Sequence, residues 1–203
     1  MNIIVAIKVV ADDQDIQIAP DGSLDMSKAK PVVSAYDLNA IEAAAKLAEA
    51  NEGAKVYAVT VGSAQIDDSK LKKNIMARGV DELFMVADDA AADLDSRATA
   101  EALAAEIAKI GEYSIVICGD GSADNYAQQV DVQLAAKLGV ASMNGVVALE
   151  ATASGFTATR RLEDVTEVVE VPAPCVVSVS PEIALPRIPG MRDILKAGKK
   201  PMN

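Results

Sequence analysis

The sequence contains no histidine and no tryptophan, and only 3% of its 203 residues are aromatic. Without imidazole there can be no Ser-His-Asp triad, no Cys-His nucleophile pair and no histidine-ligated metal site. Cationic side chains are also scarce: 19 Lys and Arg face 30 Asp and Glu, a net charge of −11. A chain with a pI near 4.5 lacks the basic face that displaces counterions from nucleic acid or settles on anionic lipid. The only two cysteines, Cys118 and Cys175, lie in Ile/Val-rich runs and read as buried strand thiols of a reducing compartment. No segment reaches the ~20 apolar residues that span a bilayer. Met1 to Lys8 carries no basic leader, and its apolar run is too short for a signal peptide. A cytoplasmic protein is expected.

Half of the residues are nevertheless apolar, at 51%, so Ala, Val, Ile and Leu must build the core. At roughly 100–200 residues per domain, the length allows one full domain and a small appendage. Asn2 to Val10 reads as a strand covered on both faces, and residues 15–25 as a small hairpin turning at Pro20-Asp21-Gly22. Asp37 is placed to cap a helix carrying Leu38, Ile41, Ala45 and Leu47, closed by Gly53. A regular alternation follows: strand 55–62, helix 67–78, strand 82–87, helix 96–110, strand 113–118, helix 125–138, with Gly79, Gly111 and Gly139 as helix stops. Strands spaced by helices of this length imply right-handed crossovers and a doubly wound parallel α/β sheet. Residues 142–150, 156–162, 167–171 and 175–179 read as strands without helices between them, a C-terminal antiparallel extension. Residues 1–180 thus form the nucleotide-binding domain, its β extension starting near 142. Residues 181–203, rich in proline and ending in Lys196, Lys199 and Lys200, form an exposed loop and a short helix. No repeat or low-complexity linker interrupts the chain.

Ligands of such a sheet bind beyond the carboxyl ends of the strands, where strand order reverses. The most informative loop is Gly119-Asp120-Gly121-Ser122-Ala123-Asp124-Asn125-Tyr126-Ala127-Gln128-Gln129-Val130. Its glycines permit close backbone approach, and free N–H groups at the following helix start could hold a phosphate without a basic side chain. From spacing alone, an ordinary turn capped by Asp124 accounts for it equally well. It is no Walker loop, lacking Gly-Lys-Ser/Thr, and no dinucleotide fingerprint. Asp12, Asp13 and Asp15, like Asp88 and Asp89, read as solvated loop acids. Arg160 and Arg161, on opposite faces of one strand, read as surface ion-pair partners.

Several motifs in order resemble the β subunit of electron transfer flavoprotein, especially the branch tied to carnitine metabolism and the Fix proteins. They are Val5-Ala6-Ile7-Lys8, the stretch Ser34-Ala35-Tyr36-Asp37-Leu38-Asn39-Ala40-Ile41-Glu42-Ala43, the turn Ala77-Arg78-Gly79-Val80-Asp81-Glu82, and the loop Gly119 to Val130. The most specific is the tail Pro186-Arg187-Ile188-Pro189-Gly190-Met191-Arg192-Asp193-Ile194-Leu195-Lys196-Ala197-Gly198-Lys199-Lys200-Pro201. The resemblance covers nearly the whole chain. It implies a Rossmann-like, adenine-nucleotide-binding character for the sheet, and a nucleotide-binding subunit without catalytic activity alone, pairing with an α subunit that carries the redox-active FAD.

The resemblance further implies an AMP in this subunit, or a second FAD in bifurcating members. Ala6, Ser34 and Val61 would lie on the adenine side; Gly119, Asn125, Ala127, Gln128, Gln129 and Val130 would line the phosphate side. Asn125-Tyr126-Ala127-Gln128 departs from the Gly-Asp-Thr-Ala pattern common in bifurcating members, which favours AMP. Arg161 stands where family members commonly have Glu after the Arg represented by Arg160. The tail would dock onto acyl-CoA dehydrogenase-type partners through Met191, with Pro186, Arg187 and Ile194 around it. The family also implies an arm of some tens of residues beyond Pro201. The alternative outside this family role is a free-standing adenine-nucleotide-binding regulatory homodimer.

Overall fold

The computed structural model describes residues 1–203. Its first strand, β1 (Asn2–Ala6), is buried along all but its first residue. The apolar run to Val10 divides in two: β2 (Val9–Ala11) pairs instead with β5 (Pro31–Val33) in a separate antiparallel ribbon. Between them, β3 (Gln17–Ile18) and β4 (Leu24–Asp25) make the expected hairpin, with Gly22 at φ 84°.

The alternation then follows as α1 (Ala35–Glu49), β6 (Lys55–Gly62), α2 (Ser69–Met76), β7 (Glu82–Ala87), α3 (Ser96–Ile110), β8 (Ile115–Gly119) and α4 (Val130–Leu138). Asp68 and Asp95 cap α2 and α3 through main-chain N–H groups of their first turns. The N-cap of α1 is Ser34 and not Asp37, whose side chain turns inward. The last third contributes β9 (Ala141–Ala151), β10 (Gly155–Arg161), β11 (Thr166–Pro172), β12 (Cys175–Val179) and α5 (Met191–Ala197).

Eight strands form one sheet in the order β11-β10-β9-β12-β8-β1-β6-β7. From β1 the chain winds outward through β6 to β7, and α3 then carries it back to β8 on the other side of β1. Strand order therefore reverses between β1 and β8. Successive strand residues point to opposite faces. Ile3 and Val5 meet Ile41 and Ala44 of α1 and Ile75 of α2; Ile4 and Val116 meet Leu103 and Ile107 of α3 and Leu134 of α4. Both faces are covered, the doubly wound α/β architecture the alternation implies.

The antiparallel extension is smaller than expected. Only β9-β10-β11 is an antiparallel meander; β12 lies parallel to both β8 and β9 inside the main sheet. All five β12 residues are buried, and such a doubly covered apolar strand is more stable in the parallel interior than at an edge. The end of the chain also returns to the sheet. Leu83 and Met85 of β7 donate to the carbonyls of Pro201 (3.2 Å) and Asn203 (2.9 Å). No helix is long and apolar enough to cross a membrane.

Candidate functional site

The carboxyl ends of β1 and β8 are joined by one side chain. Asp37, in the first turn of α1 and only 5% exposed, accepts the Lys8 N–H at 2.7 Å on Oδ2 and the Gly119 N–H at 3.0 Å on Oδ1. Burial pushes its carboxyl up from 3.8 to about 7 against the opposing pull of the two N–H donors and the Lys8 charge, with Asp120 adding repulsion. Gly119 is required by this closeness. A Cβ there would lie 2.6 Å from Asp37 Oδ1 and 2.9 Å from the Tyr36 carbonyl carbon. Gly119→Ala is therefore expected to destabilise the fold by about 1–3 kcal/mol, as overpacking does, which a thermal melt would register.

The loop after β8 is tied to the same place. Ser34 Oγ, fully buried, accepts the Ala123 N–H at 3.2 Å, and Lys8 Nζ pairs with Asp124 at 2.6 Å. Although burial raises the Asp124 carboxyl, the hydrogen bonds from Lys8 and Ser122 hold it below the usual carboxylate range. Tyr126 folds back over Gly121, its ring 5.0 Å from that of Tyr36 and its hydroxyl donating to Asp120 Oδ2 at 3.3 Å. The other Asp120 oxygen is buried without a partner, and burial raises that carboxyl despite the Tyr126 hydrogen bond.

This arrangement corrects the expected helix over 125–138. Tyr126 and Gln128 adopt left-handed φ values of 46° and 53°, which an α-helix excludes, so α4 starts only at Val130 with Gln129 as its N-cap. Asp124 consequently bonds to Lys8 and Ser122 and caps nothing. Asn125, Ala127, Gln128 and Gln129 all lie exposed on the loop. The N–H groups of Ala127, Gln128 and Gln129 donate to no main-chain carbonyl.

Of the residues expected on the adenine side, Ala6 ends β1 and is buried, Ser34 is buried at the start of α1, and Val61 lies near the end of β6, next to β1 in the sheet. Ala6, Val61 and Gly119 thus stand at the carboxyl ends of three neighbouring strands. Asp37 and Lys8, which hold the site together, went unassigned in the sequence. Asp37 carried a signal only as a helix-cap residue.

The tail forms a second surface, fastened to α1 through Asn39, Glu42 and Glu49. Met191 is 83% exposed, Ile194 and Pro186 half-buried. Arg187 is half-buried, its guanidinium on Glu42 and Glu49. Three further apolar side chains stand in solvent near Met191: Leu185, Ile188 and Leu195. Met191 and Leu195, four residues apart on α5, share a helix face; Ile188 precedes the helix. In the meander, Arg160 pairs with Glu167 and Arg161 with Glu182, the surface ion pairs expected of them.

The sequence from 22 to 203 matches the model of the electron transfer flavoprotein domain. The chain belongs to the electron transfer flavoprotein family. The matched residues of this electron transfer flavoprotein include Ser34, Asp37, the whole loop from Gly119 to Val130 and the tail. β1, with Ala6 and Lys8, lies before the match. Electron transfer flavoproteins carry electrons and work with partner flavoproteins.

Proposed function

We propose that this electron transfer flavoprotein is a β subunit that binds AMP between β1 and β8, pairs with an FAD-bearing α subunit and receives electrons from an acyl-CoA dehydrogenase-type partner. The observation carrying this reading is the row of unpaired N–H groups at Ala127, Gln128 and Gln129 beside the crevice where strand order reverses. The residues present suit an adenine mononucleotide. Lys8 is engaged by Asp124, so a phosphate would rest on these main-chain donors and on the Gln128 and Gln129 amides, with Asn125 and Val130 flanking it. The buried, unpartnered oxygen of Asp120 offers an acceptor for a ribose or adenine donor. Val61, half-buried near the end of β6, supplies an apolar surface for a base, with Ala6 and Ser34 buried behind the strand ends.

FAD, when bound in the α subunit, supplies the redox chemistry. This chain's part is positional: it excludes water from one side of the partner's cofactor and presents Met191 to the dehydrogenase. Both cysteines are free and buried, in keeping with a reducing cytoplasm.

Purified heterodimer, denatured and chromatographed, is expected to release one AMP and one FAD. Two FAD and no AMP would assign the crevice to a flavin, and no adenine nucleotide at all would overturn the reading. On nucleotide-free protein, AMP at about 100 times its Kd should add about 2.7 kcal/mol to stability, a rise of several degrees in Tm.

A further inference from the structure

The exposed crest of the tail is held by an ion-pair cluster in which one member is buried. Glu42, on α1, has a side chain only 6% exposed. Its Oε2 accepts the Arg187 main-chain N–H at 3.0 Å and Nε at 2.7 Å, and its Oε1 accepts a terminal guanidinium nitrogen at 3.1 Å. The second terminal nitrogen of Arg187 reaches Glu49 at 2.8 Å, and Arg78 donates to the Arg187 carbonyl at 2.6 Å. Burial pushes the Glu42 carboxyl up, but the hydrogen bonds and charge of Arg187 outweigh this and hold it below its ordinary range.

Two further ties flank this junction. Asn39 donates to the carbonyls of Pro181 and Ala184, at 3.2 and 2.8 Å. On the far side, Lys200 Nζ donates to the carbonyls of Met76, at 3.1 Å, and Val80. Between Ala184 and Lys200 the chain arches over a cleft of about 500 Å³ lined by Glu42, Glu49, Gly79, Arg187 and Lys200. Leu185, Ile188, Met191 and Leu195 point outward from the arch, 88%, 92%, 83% and 68% exposed. Between these ties only Ala197 is buried in the core, and residues 185–195 are exposed or half-buried. The shape of the arch depends on its fastenings.

We propose that Glu42 is a positioning residue for docking: through its forked hold on Arg187 it sets the apolar crest in the arrangement a partner dehydrogenase recognises, without touching that partner. This rests on the docking role proposed above. A carboxylate facing a guanidinium bidentately fixes orientation as well as distance, and ordering the crest beforehand removes an entropic cost from association. Loosening the latch should weaken encounter and leave the electron-transfer step itself intact.

The test uses the heterodimer and Glu42→Gln, which retains shape but loses the charge. One arm measures amide hydrogen exchange over residues 185–195; the other measures reduction by an acyl-CoA dehydrogenase charged with its acyl-CoA, with the heterodimer as the varied substrate. The proposal expects at least tenfold faster exchange in the crest, unchanged exchange in the sheet, and a KM about tenfold higher at unchanged kcat. Arg187→Lys should shift KM in the same direction. An unchanged KM, or a fall in kcat with KM constant, would overturn the proposal. Faster exchange throughout the sheet would also overturn it, by showing a general loss of stability. If the wild-type heterodimer is itself not reduced, the docking role and the proposal fall together, and that result is distinct from failure of Glu42→Gln alone.

Discussion

Replacing Asp37 with alanine is expected to lower stability by about 3 kcal/mol at pH 6 and to abolish nucleotide retention. The Lys8 and Gly119 N–H groups, now 2.7 and 3.0 Å from the Asp37 carboxyl, would both lose their acceptor in a part-buried place. Each unsatisfied group costs about 1–3 kcal/mol. At roughly 2–4 °C per kcal/mol for a chain of this size, Tm should fall by about 10 °C. The nucleotide is lost because Asp37 holds the main chain just after β1, at Lys8, and the end of β8, at Gly119, with one carboxylate, and the proposed site lies at these two strand ends.

Asp37 also gives this substitution a pH signature. Its carboxyl titrates at about 7 in the folded protein against 3.8 as a free side chain. The folded state therefore binds more protons in that window, so stability is greatest below it and declines as pH rises from about 4 to 7. A single such group contributes a slope of up to about 1.4 kcal/mol per pH unit. Asp124 and Glu42 are shifted downward, and their contributions are lost only as pH falls through the acidic range, so they leave the pH 5–8 interval to Asp37 and its raised neighbour Asp120. Chemical denaturation from pH 5 to 8 should show declining stability in the wild type and a much flatter line in Asp37→Ala. Equal slopes would remove Asp37 from this role.

How much of this could be read in advance depended on the range of the forces involved. β6, β7 and α3 carry the bounds their sequences imply, 55–62, 82–87 and 96–110, because apolar periodicity and flanking caps act within a few residues. The beginning of α4 was misread because Tyr126 leaves the helical path to stack on Tyr36, a partner 90 positions earlier that no local pattern announces. The parallel placement of β12 likewise depends on which strand it meets, not on its own composition. At the candidate site, the loop was recognisable from its glycines and its place after an apolar strand. The roles of Asp37 and Lys8 were not, since a capping carboxylate and a buried strand clip look the same in sequence. Arg187 is expected only as a neighbour of Met191 in the docking tail. Its pairing with Glu42 becomes visible only once the tail is folded back over α1.

Changing Met191 to aspartate is expected to leave the fold intact and to cripple docking. The side chain is 83% exposed and occupies the first position of α5, where an acidic residue suits the helix dipole, so the change in stability should stay within about 0.5 kcal/mol. A partner surface sees something different. Met191, Ile188 and Leu195 present one apolar crest, and inserting a carboxylate there places an unpaired charge in the centre of a desolvated contact. Loss of such an anchor typically costs about 2 kcal/mol or more, roughly thirtyfold in Kd. With the dehydrogenase as electron donor and the heterodimer varied, kcat/KM should fall at least thirtyfold, while AMP content, flavin content and Tm match the wild type. Leu195→Asp, one helical turn away, should reproduce the defect in lesser degree, and Ile18→Asp, on the exposed β3–β4 hairpin, should not. If Ile18→Asp alone were defective, the hairpin would be the docking surface. A defect shared equally by all three would mean that added negative charge, and not a local crest, governs the encounter, because the chain already carries −11 and long-range repulsion acts on association regardless of where the charge is placed.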